Sequence, residues 1–223
     1  MAEESRDFWV FGYGSLMWRP GFPFIKSERA RLTGWHRRFC IVSRHYRGTA
    51  LRPGLLLGLD RGGRCEGVAF QVAAEHGAGV LKYLRAREQI SGVYRETRLP
   101  MTLLSNPDAQ QRAVVFLAEH AHPSFSRRLS VPTQARIIAT AAGSTGTNLA
   151  YLANTLAELK RIGIRERELE RILTTIGVVR ASRLALSKSR ILPQYRGRTP
   201  SLRLGPRVRL SEVKRFVHRA RLR

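Results

Sequence analysis

The stretch from Phe8 to Trp18 constrains the fold most, because it combines a buried strand with a glycine-containing loop. Phe8 to Phe11 are four consecutive apolar or aromatic residues, which predict a short buried strand. Gly12-Tyr13-Gly14-Ser15 follows, and its two glycines allow positive φ angles and let a ligand approach the main chain closely. Successive main-chain N–H groups in such a loop form a nest for an anion.

Two nucleotide-binding motifs are excluded at this loop. Gly12 and Gly14 match the first two glycines of the dinucleotide fingerprint, but Met17 stands where the third belongs. No Lys-Ser or Lys-Thr pair follows, so the loop is not a P-loop. We therefore expect it to hold a smaller anion, such as a carboxylate. The alternative is a strand-ending turn that binds nothing.

The rest of the pattern predicts an α+β fold, with strands in the first half and helices in the second. Apolar runs predict strands over 31–43, 55–59, 67–72, 94–104 and 113–118, and Asp60-Arg61-Gly62-Gly63-Arg64 predicts a hairpin turn between the second and third of them. Helical spacing of apolar residues predicts helices over 78–90, 134–142, 149–159 and 169–176, the last of them ending near Gly177.

Glu88 is the carboxylate that this pattern singles out. Leu81, Leu84 and Glu88 are separated by three and four residues, so they share one face of the predicted helix, which points to the interior. Burial and a helix C-terminus both disfavour a negative charge, so both raise the pKa of a carboxyl group. A raised pKa suits a general acid or base near neutral pH. The alternative is a surface ion pair with Arg85 or Arg95.

Charge divides the chain into a body and a tail. The formal net charge is +24, and residues 180–223 hold 14 Lys and Arg against the single acidic residue Glu212. We therefore expect a domain over 1–179 and a basic, disordered extension over 180–223. The extension also supports a different class of function, a nucleic-acid-binding protein, or non-specific binding of polyanions beside another activity.

Further features predict a cytoplasmic protein. Cys40 and Cys65 form neither a disulfide framework nor a metal-ligand spacing, which suits a reducing compartment. The acidic start over residues 1–7 is not a secretory signal, and no apolar run approaches the roughly 20 residues that span a bilayer. His120-Ala121-His122 precedes a proline, where a solvated strand end is favoured over a metal site.

Five motifs in order resemble the ChaC-like γ-glutamylcyclotransferases, which open the γ-glutamyl bond of glutathione. The resemblance extends over residues 8–175. The motifs are Val10-Phe11-Gly12-Tyr13-Gly14-Ser15-Leu16-Met17-Trp18; Arg37-Arg38-Phe39; His45-Tyr46-Arg47-Gly48-Thr49 with Arg52-Pro53-Gly54; Arg87-Glu88 with Gly92-Val93-Tyr94; and Ala141-Ala142-Gly143 with Gly146-Thr147-Asn148 and Tyr151-Leu152.

The resemblance implies a small mixed β-barrel with packed helices and a lyase that needs no metal or cofactor. It implies that Glu88 is the catalytic acid/base, while the α-amino group of the substrate attacks its own γ-carbonyl to give 5-oxoproline and Cys-Gly. The substrate-binding residues that it implies are Gly12, Tyr13, Gly14, Ser15, Leu16, Met17 and Tyr94.

Two questions stay open at this point. The loop would hold the same γ-glutamyl half of glutathione, of other γ-glutamyl peptides and of γ-glutamyl amines, so the substrate is not fixed. Arg44, Arg47 and Arg95 either bind the glycine carboxylate of glutathione or are simply solvated.

Overall fold

A closed five-stranded barrel organises the computed structural model, which describes residues 6–89 and 91–191. Its strands are β1 (Phe8–Gly12), β2 (Lys26–Ser43), β3 (Gly54–Val72), β4 (Tyr94–Leu103) and β5 (Asn106–Ala118). They are hydrogen-bonded in the order β1-β3-β2-β4-β5, and β1 closes the barrel by pairing with β5 in parallel. The other pairings are antiparallel, so the predicted mixed barrel is confirmed.

Two apolar cores explain why β1 and β5 are continuous apolar runs. Side chains alternate across a strand. Phe11 of β1 and Val115 of β5 belong to a core built from strand and loop residues, whereas Val10 and Phe116 belong to a core that also contains helix residues. Both faces of these strands are therefore buried, one inside the barrel and one beneath the helices.

The predicted hairpin turn at Asp60–Arg64 is wrong, because β3 continues through these residues. Gly62 and Gly63 have φ angles of 95° and 70°, and they lie opposite Gly34 of β2, whose φ is 84°. The register shifts between Thr33 and Trp35, so the glycines form a β-bulge inside two long paired strands. The chain reverses instead in the loop 44–53 between β2 and β3.

The helices of the described residues follow the predicted positions, except at the end of the chain. They are α1 (Gly77–Glu88), α2 (Val131–Thr140), α3 (Asn148–Arg161) and α4 (Arg167–Ile191). Two short strands, β6 (Ala142–Gly143) and β7 (Gly146–Thr147), lie between α2 and α3. The prediction that the last helix ends near Gly177 is wrong, since α4 continues to Ile191 and crosses the predicted boundary at residue 180.

The remainder of the predicted extension, residues 192–223, lies outside the described residues. The division into a domain and a disordered tail therefore stays a prediction. Cys40 and Cys65 are buried free thiols, and burial raises their pKa to about 12 and about 11. In residues 6–89 and 91–191, no helix combines the length and the apolar character that crossing a membrane requires.

Candidate active site

The glycine loop, residues 12–17, forms one wall of a cavity of about 790 Å³. Ser15–Met17 form a turn of 3₁₀-helix, closed by a hydrogen bond from Met17 N to Gly14 O of 2.9 Å. Four predicted loop residues line the cavity, namely Tyr13, Gly14, Ser15 and Leu16, whereas Gly12 and Met17 do not.

Gly12 and Gly14 do not use the positive φ angles that glycine allows, since neither is among the glycines with positive φ. Both positions are crowded instead. A Cβ atom at Gly12 would lie 3.1 Å from Leu16 Cβ, and one at Gly14 would lie 3.2 Å from the hydroxyl oxygen of Tyr151. Glycine therefore lets the loop pack closely against its neighbours.

Buried Arg37 holds the loop from below. Its Nε donates to the Tyr13 carbonyl oxygen, and its Nη2 lies 3.8 Å from the Met17 sulfur and donates to the Glu66 carbonyl oxygen at 2.6 Å. Nη1 pairs with the carboxylate of Glu166. One guanidinium group on β2 thus connects both ends of the glycine loop to β3 and to the segment before α4.

Glu88 is the last residue of α1, four residues after the fully buried Leu84, and it lines the same cavity as the glycine loop. Its side chain is 18% exposed. Burial raises the pKa of this carboxyl group, although the guanidinium of Arg87 opposes the shift. The inward orientation and the direction of the pKa shift agree with the spacing argument.

Neither surface ion pair considered from the sequence involves Glu88 in this structure. Arg85 Nε lies 2.7 Å from a carboxylate oxygen of Glu96, and Arg95 Nε lies 3.3 Å from one of Glu119. Among the described residues, Glu88 pairs with Arg87, whose Nε lies 3.1 Å from Glu88 Oε1.

This partner, Arg87, connects the carboxylate to the glycine loop. Its Nη2 donates to Ser15 Oγ at 3.0 Å, and its Nη1 donates to the carbonyl oxygens of Arg19 and Pro20 at 2.6 and 3.0 Å. The Ser15 hydroxyl accepts from a cation and has no carboxylate or imidazole partner among the described residues. This arrangement does not activate Ser15 as a nucleophile.

Three tyrosines line the same cavity as the carboxylate of Glu88. Tyr13 donates to the Phe116 carbonyl oxygen at 2.6 Å, and Tyr94 donates to the Leu57 carbonyl oxygen at 2.7 Å. Burial raises the pKa of Tyr13, Tyr94 and Tyr151, and the negative charge of Glu88 raises it further. These phenols therefore stay protonated, and the cavity combines one carboxylate with neutral hydroxyl groups.

Residues 44–47 of the loop 44–53 also line the cavity, and the β6–β7 turn holds this loop in place. Ser144 N donates to the His45 carbonyl oxygen at 2.9 Å, and Thr145 N donates to that of Tyr46 at 3.1 Å. A Cβ atom at Gly143 would lie 2.3 Å from the His45 carbonyl oxygen, so only glycine allows this contact. The Gly143–Gly146 segment therefore supports this loop.

Arg47 extends from this loop into the cavity wall. Its Nη1 donates to the carbonyl oxygens of Thr145 and Thr147 at 2.7 and 3.4 Å. The guanidinium carbon lies 5.3 Å from the centroid of the Tyr151 ring, a cation–π geometry. Partial burial lowers the pKa of Arg47.

Sequence reasoning missed the roles of Arg37, Arg87 and Tyr151. All three occur in the motifs that carry the family resemblance, and those motifs could have indicated them. Their contacts, however, join elements that are distant in sequence. In the His120-Ala121-His122 segment, Nε2 of His120 lies 2.8 Å from a carboxylate oxygen of Asp60. The described residues contain no cluster of His, Cys, Asp and Glu that could hold a metal ion.

Comparisons with known proteins agree with this architecture. A family model described as ChaC-like protein matches residues 8–179. The glutathione-specific γ-glutamylcyclotransferase of Escherichia coli is 38% identical over 173 residues, covering 78% of this chain and 74% of that protein. Glutathione-specific γ-glutamylcyclotransferase 1 of Mus musculus is 31% identical over 180 residues, covering 79% of this chain and 81% of that protein.

A solved structure resembles the fold. The crystal structure of a yeast γ-glutamylcyclotransferase specific to glutathione superposes with a TM-score of 0.71 at 22% identity. The superposition covers 77% of this chain and 96% of the yeast chain. At this identity the likeness concerns the fold alone.

Proposed function

The chain belongs to the ChaC-like protein family, and from this premise we propose that it is a glutathione-specific γ-glutamylcyclotransferase. The reaction converts glutathione to 5-oxoproline and Cys-Gly. The relatives from Escherichia coli and mouse, at 38% and 31% identity, carry this name. The observation that carries the proposal is one carboxyl group of raised pKa, Glu88, in the same cavity as the glycine loop.

The reaction is intramolecular, so the main task of the site is to hold the substrate in a folded conformer. The α-amino nitrogen attacks the γ-carbonyl carbon, a C–N bond forms and closes a five-membered ring, and the original γ-amide C–N bond breaks. Two protons leave the attacking nitrogen and two reach the departing amine, so no water is consumed.

Glu88 carries one of the two protons in the proposed mechanism, and solvent carries the other from the ring nitrogen to the released amine. The α-amino group is protonated at neutral pH and cannot attack until it loses a proton. A carboxylate of raised pKa accepts that proton and then, as an acid, gives one to the leaving amine. The position of Glu88 at the wall of the cavity supports this role.

The glycine loop binds the γ-glutamyl half of the substrate in this proposal. Main-chain N–H groups of Tyr13, Gly14, Ser15 and Leu16 are the candidates to hold a carboxylate or a developing oxyanion, because these residues line the cavity. Gly12 and Met17 are the buried ends of the loop and act by shaping it. Tyr94 also lines the cavity.

The first test compares wild type with Glu88→Gln, with 5-oxoproline and Cys-Gly measured by mass spectrometry after incubation with glutathione. We expect the variant to lose at least about 100-fold in kcat, the lower range for general acid–base catalysis. Glu75→Gln is the matched control, since that side chain is 79% exposed. Turnover by Glu88→Gln at the wild-type rate contradicts the assignment of Glu88.

Thermal melting separates lost chemistry from lost folding. The pKa of Glu88 is raised in the folded protein, so the folded protein binds more protons than the unfolded chain. Stability is then lost as pH rises through the raised pKa, and at neutral pH the ionised group destabilises the fold. Glu88→Gln removes this penalty, so we expect its Tm at neutral pH to equal or exceed that of wild type.

The alternative within the same reaction class is a cyclotransferase for other γ-glutamyl peptides or γ-glutamyl amines. The loop binds the same half of all these substrates. Parallel assays with γ-glutamyl amino acids and γ-glutamyl amines therefore decide the substrate. Higher kcat/KM for one of them than for glutathione contradicts glutathione specificity.

Two further parts of the proposal rest on sequence alone. We propose that the protein acts in the cytoplasm, and that residues 180–223 bind polyanions non-specifically. The observation behind the second is the 14 Lys and Arg in that segment, against one Glu.

A further inference from the structure

Side chains of both charges line the cavity. Glu88 is the carboxylate among the described residues that line it, and Arg19, Arg44, Arg47 and Arg87 are the arginines. Arg87 is occupied by Glu88 and the glycine loop. Glutathione has a carboxylate at each end, so a cation distant from the glycine loop has a chemical partner in the substrate.

Three arginines were candidates for the glycine carboxylate from the sequence, and the structure separates them. Arg95 pairs with Glu119 and does not line the cavity. Arg44 lines it but is exposed, and its one side-chain hydrogen bond within residues 6–89 and 91–191 joins Nη1 to the hydroxyl of Ser124 at 3.4 Å. Arg47 is the third candidate and differs from both.

Arg47 is held in place but keeps free donors. Two main-chain carbonyl oxygens fix Nη1, and the Tyr151 ring supports the guanidinium plane. In the part of the chain that the structure describes, Nε and Nη2 of Arg47 make no hydrogen bond, and no carboxylate pairs with this side chain. A rigid guanidinium with unused donors is suited to bidentate binding of a carboxylate.

Tyr151 sets the spacing between this cation and the glycine loop. A Cβ atom at Gly14 would lie 3.2 Å from the hydroxyl oxygen of Tyr151, whereas the guanidinium of Arg47 lies over the ring. A substrate whose glutamyl end occupies the glycine loop therefore passes along the tyrosine before it reaches Arg47.

We propose that Arg47 binds the C-terminal carboxylate of the peptide substrate, so that the site selects γ-glutamyl peptides that end in a free carboxylate. This inference rests on the proposed cyclotransferase function. The carboxylate does not change during the reaction, so Arg47 stabilises substrate and transition state equally. Its loss raises KM and leaves kcat nearly unchanged.

The test compares glutathione with its C-terminal amide, which keeps every atom of the γ-glutamyl bond and removes one negative charge. We expect wild type to prefer glutathione by about 10- to 100-fold in kcat/KM, the range for a hydrogen bond to a charged group. In Arg47→Met we expect the kcat/KM values for glutathione and its amide to be about equal, because only glutathione loses an interaction. Arg47→Lys keeps the charge without the planar fork, so we expect an intermediate preference.

Arg52→Met is the matched control. Arg52 belongs to the same loop, its side chain is exposed, and its hydrogen bonds to Thr49 are made through the main chain. We expect this variant to keep the wild-type preference.

Each outcome decides the inference. Equal turnover of glutathione and its amide by wild type overturns it and leaves the cyclotransferase function intact. An equal loss for both substrates in Arg47→Met also overturns it, since that result assigns Arg47 a structural role through Thr145 and Thr147. Release of 5-oxoproline from neither substrate by wild type overturns the proposed function and the inference together.

Discussion

Glu88 is subject to two opposing influences. Burial raises the pKa of its carboxyl group, and the positive charge of the adjacent Arg87 lowers it. A general base must be deprotonated to act, so the acid limb of kcat/KM against pH follows this pKa in the free enzyme. Because the net shift is upward, we expect that limb to lie above the pH at which an ordinary glutamate titrates.

Without the guanidinium of Arg87, none of the described residues opposes the increase in the pKa of Glu88 that burial causes. We expect Arg87→Met to move the acid limb to higher pH, so that kcat/KM falls most at low pH. KM also rises at all pH values, since Arg87 holds Ser15 and the Arg19 and Pro20 carbonyl oxygens. The measurement is the pH profile of kcat/KM for wild type and variant.

Arg95→Met is the control for that profile, because Arg95 pairs with Glu119 at the surface. Its acid limb should coincide with that of wild type. An unmoved acid limb in Arg87→Met contradicts the electrostatic role assigned to Arg87, even if its KM rises.

At the scale of elements, the first residue of α3 completes the pairing of a strand. Asn148 is 0% exposed, and its side-chain amide bonds both main-chain groups of Leu55 at 2.7 Å. The amide thus replaces a neighbouring strand at the point where the loop 44–53 enters β3. It connects α3 to the loop that carries Arg47.

Truncation at this position leaves two buried main-chain groups without a partner. Each costs about 1–3 kcal/mol, so we expect Asn148→Ala to lower the free energy of unfolding by roughly 2–6 kcal/mol. Urea denaturation measures the change, with Asn106→Ala as the control because Asn106 is exposed. A loss below 0.5 kcal/mol, about the size of an ordinary surface substitution, would show that water replaces the amide.

Local sequence patterns predicted most of the helices and strands. The predictions that failed concern features that depend on contacts between elements. The inward orientation of Glu88 follows from helical spacing, which is a local property. The hairpin over Asp60–Arg64 was wrong because Gly62 and Gly63 also suit a bulge, and only pairing with Gly34 distinguishes the two. A bulge and a turn use the same glycines.

The site shows the same limit. Gly12 and Gly14 were assigned to backbone freedom, but their neighbours Leu16 and Tyr151 decide the requirement for glycine. The interaction of Arg47 with Tyr151 joins residues more than 100 positions apart, and spacing in sequence carries no information about it.

At the scale of the whole molecule, positive charge is distributed over both the body and the last segment. The net charge of +24 creates a potential that attracts anions, including a substrate with two carboxylates. Such attraction weakens as salt shortens the screening length. Binding of a small substrate in a cavity and binding of polyanions by a basic segment therefore have different origins, and substitution separates them.

Residues 192–223 contain ten Lys and Arg, and their replacement by Gln in the full-length chain removes ten positive charges. If this segment binds polyanions, wild type binds a labelled single-stranded RNA with an affinity that falls steeply with salt, because bound cations are released from phosphates. The substituted protein then binds the RNA more weakly, with a shallower slope of log K against log salt. Its kcat/KM for glutathione changes less than about twofold, because Glu88 and Arg47 are unaltered.

Fluorescence anisotropy over a salt series and the 5-oxoproline assay measure the two properties on the same samples. Equal RNA affinity and equal slope in both proteins would assign polyanion binding to the body of the molecule, and a large loss of turnover would connect the segment to the active site.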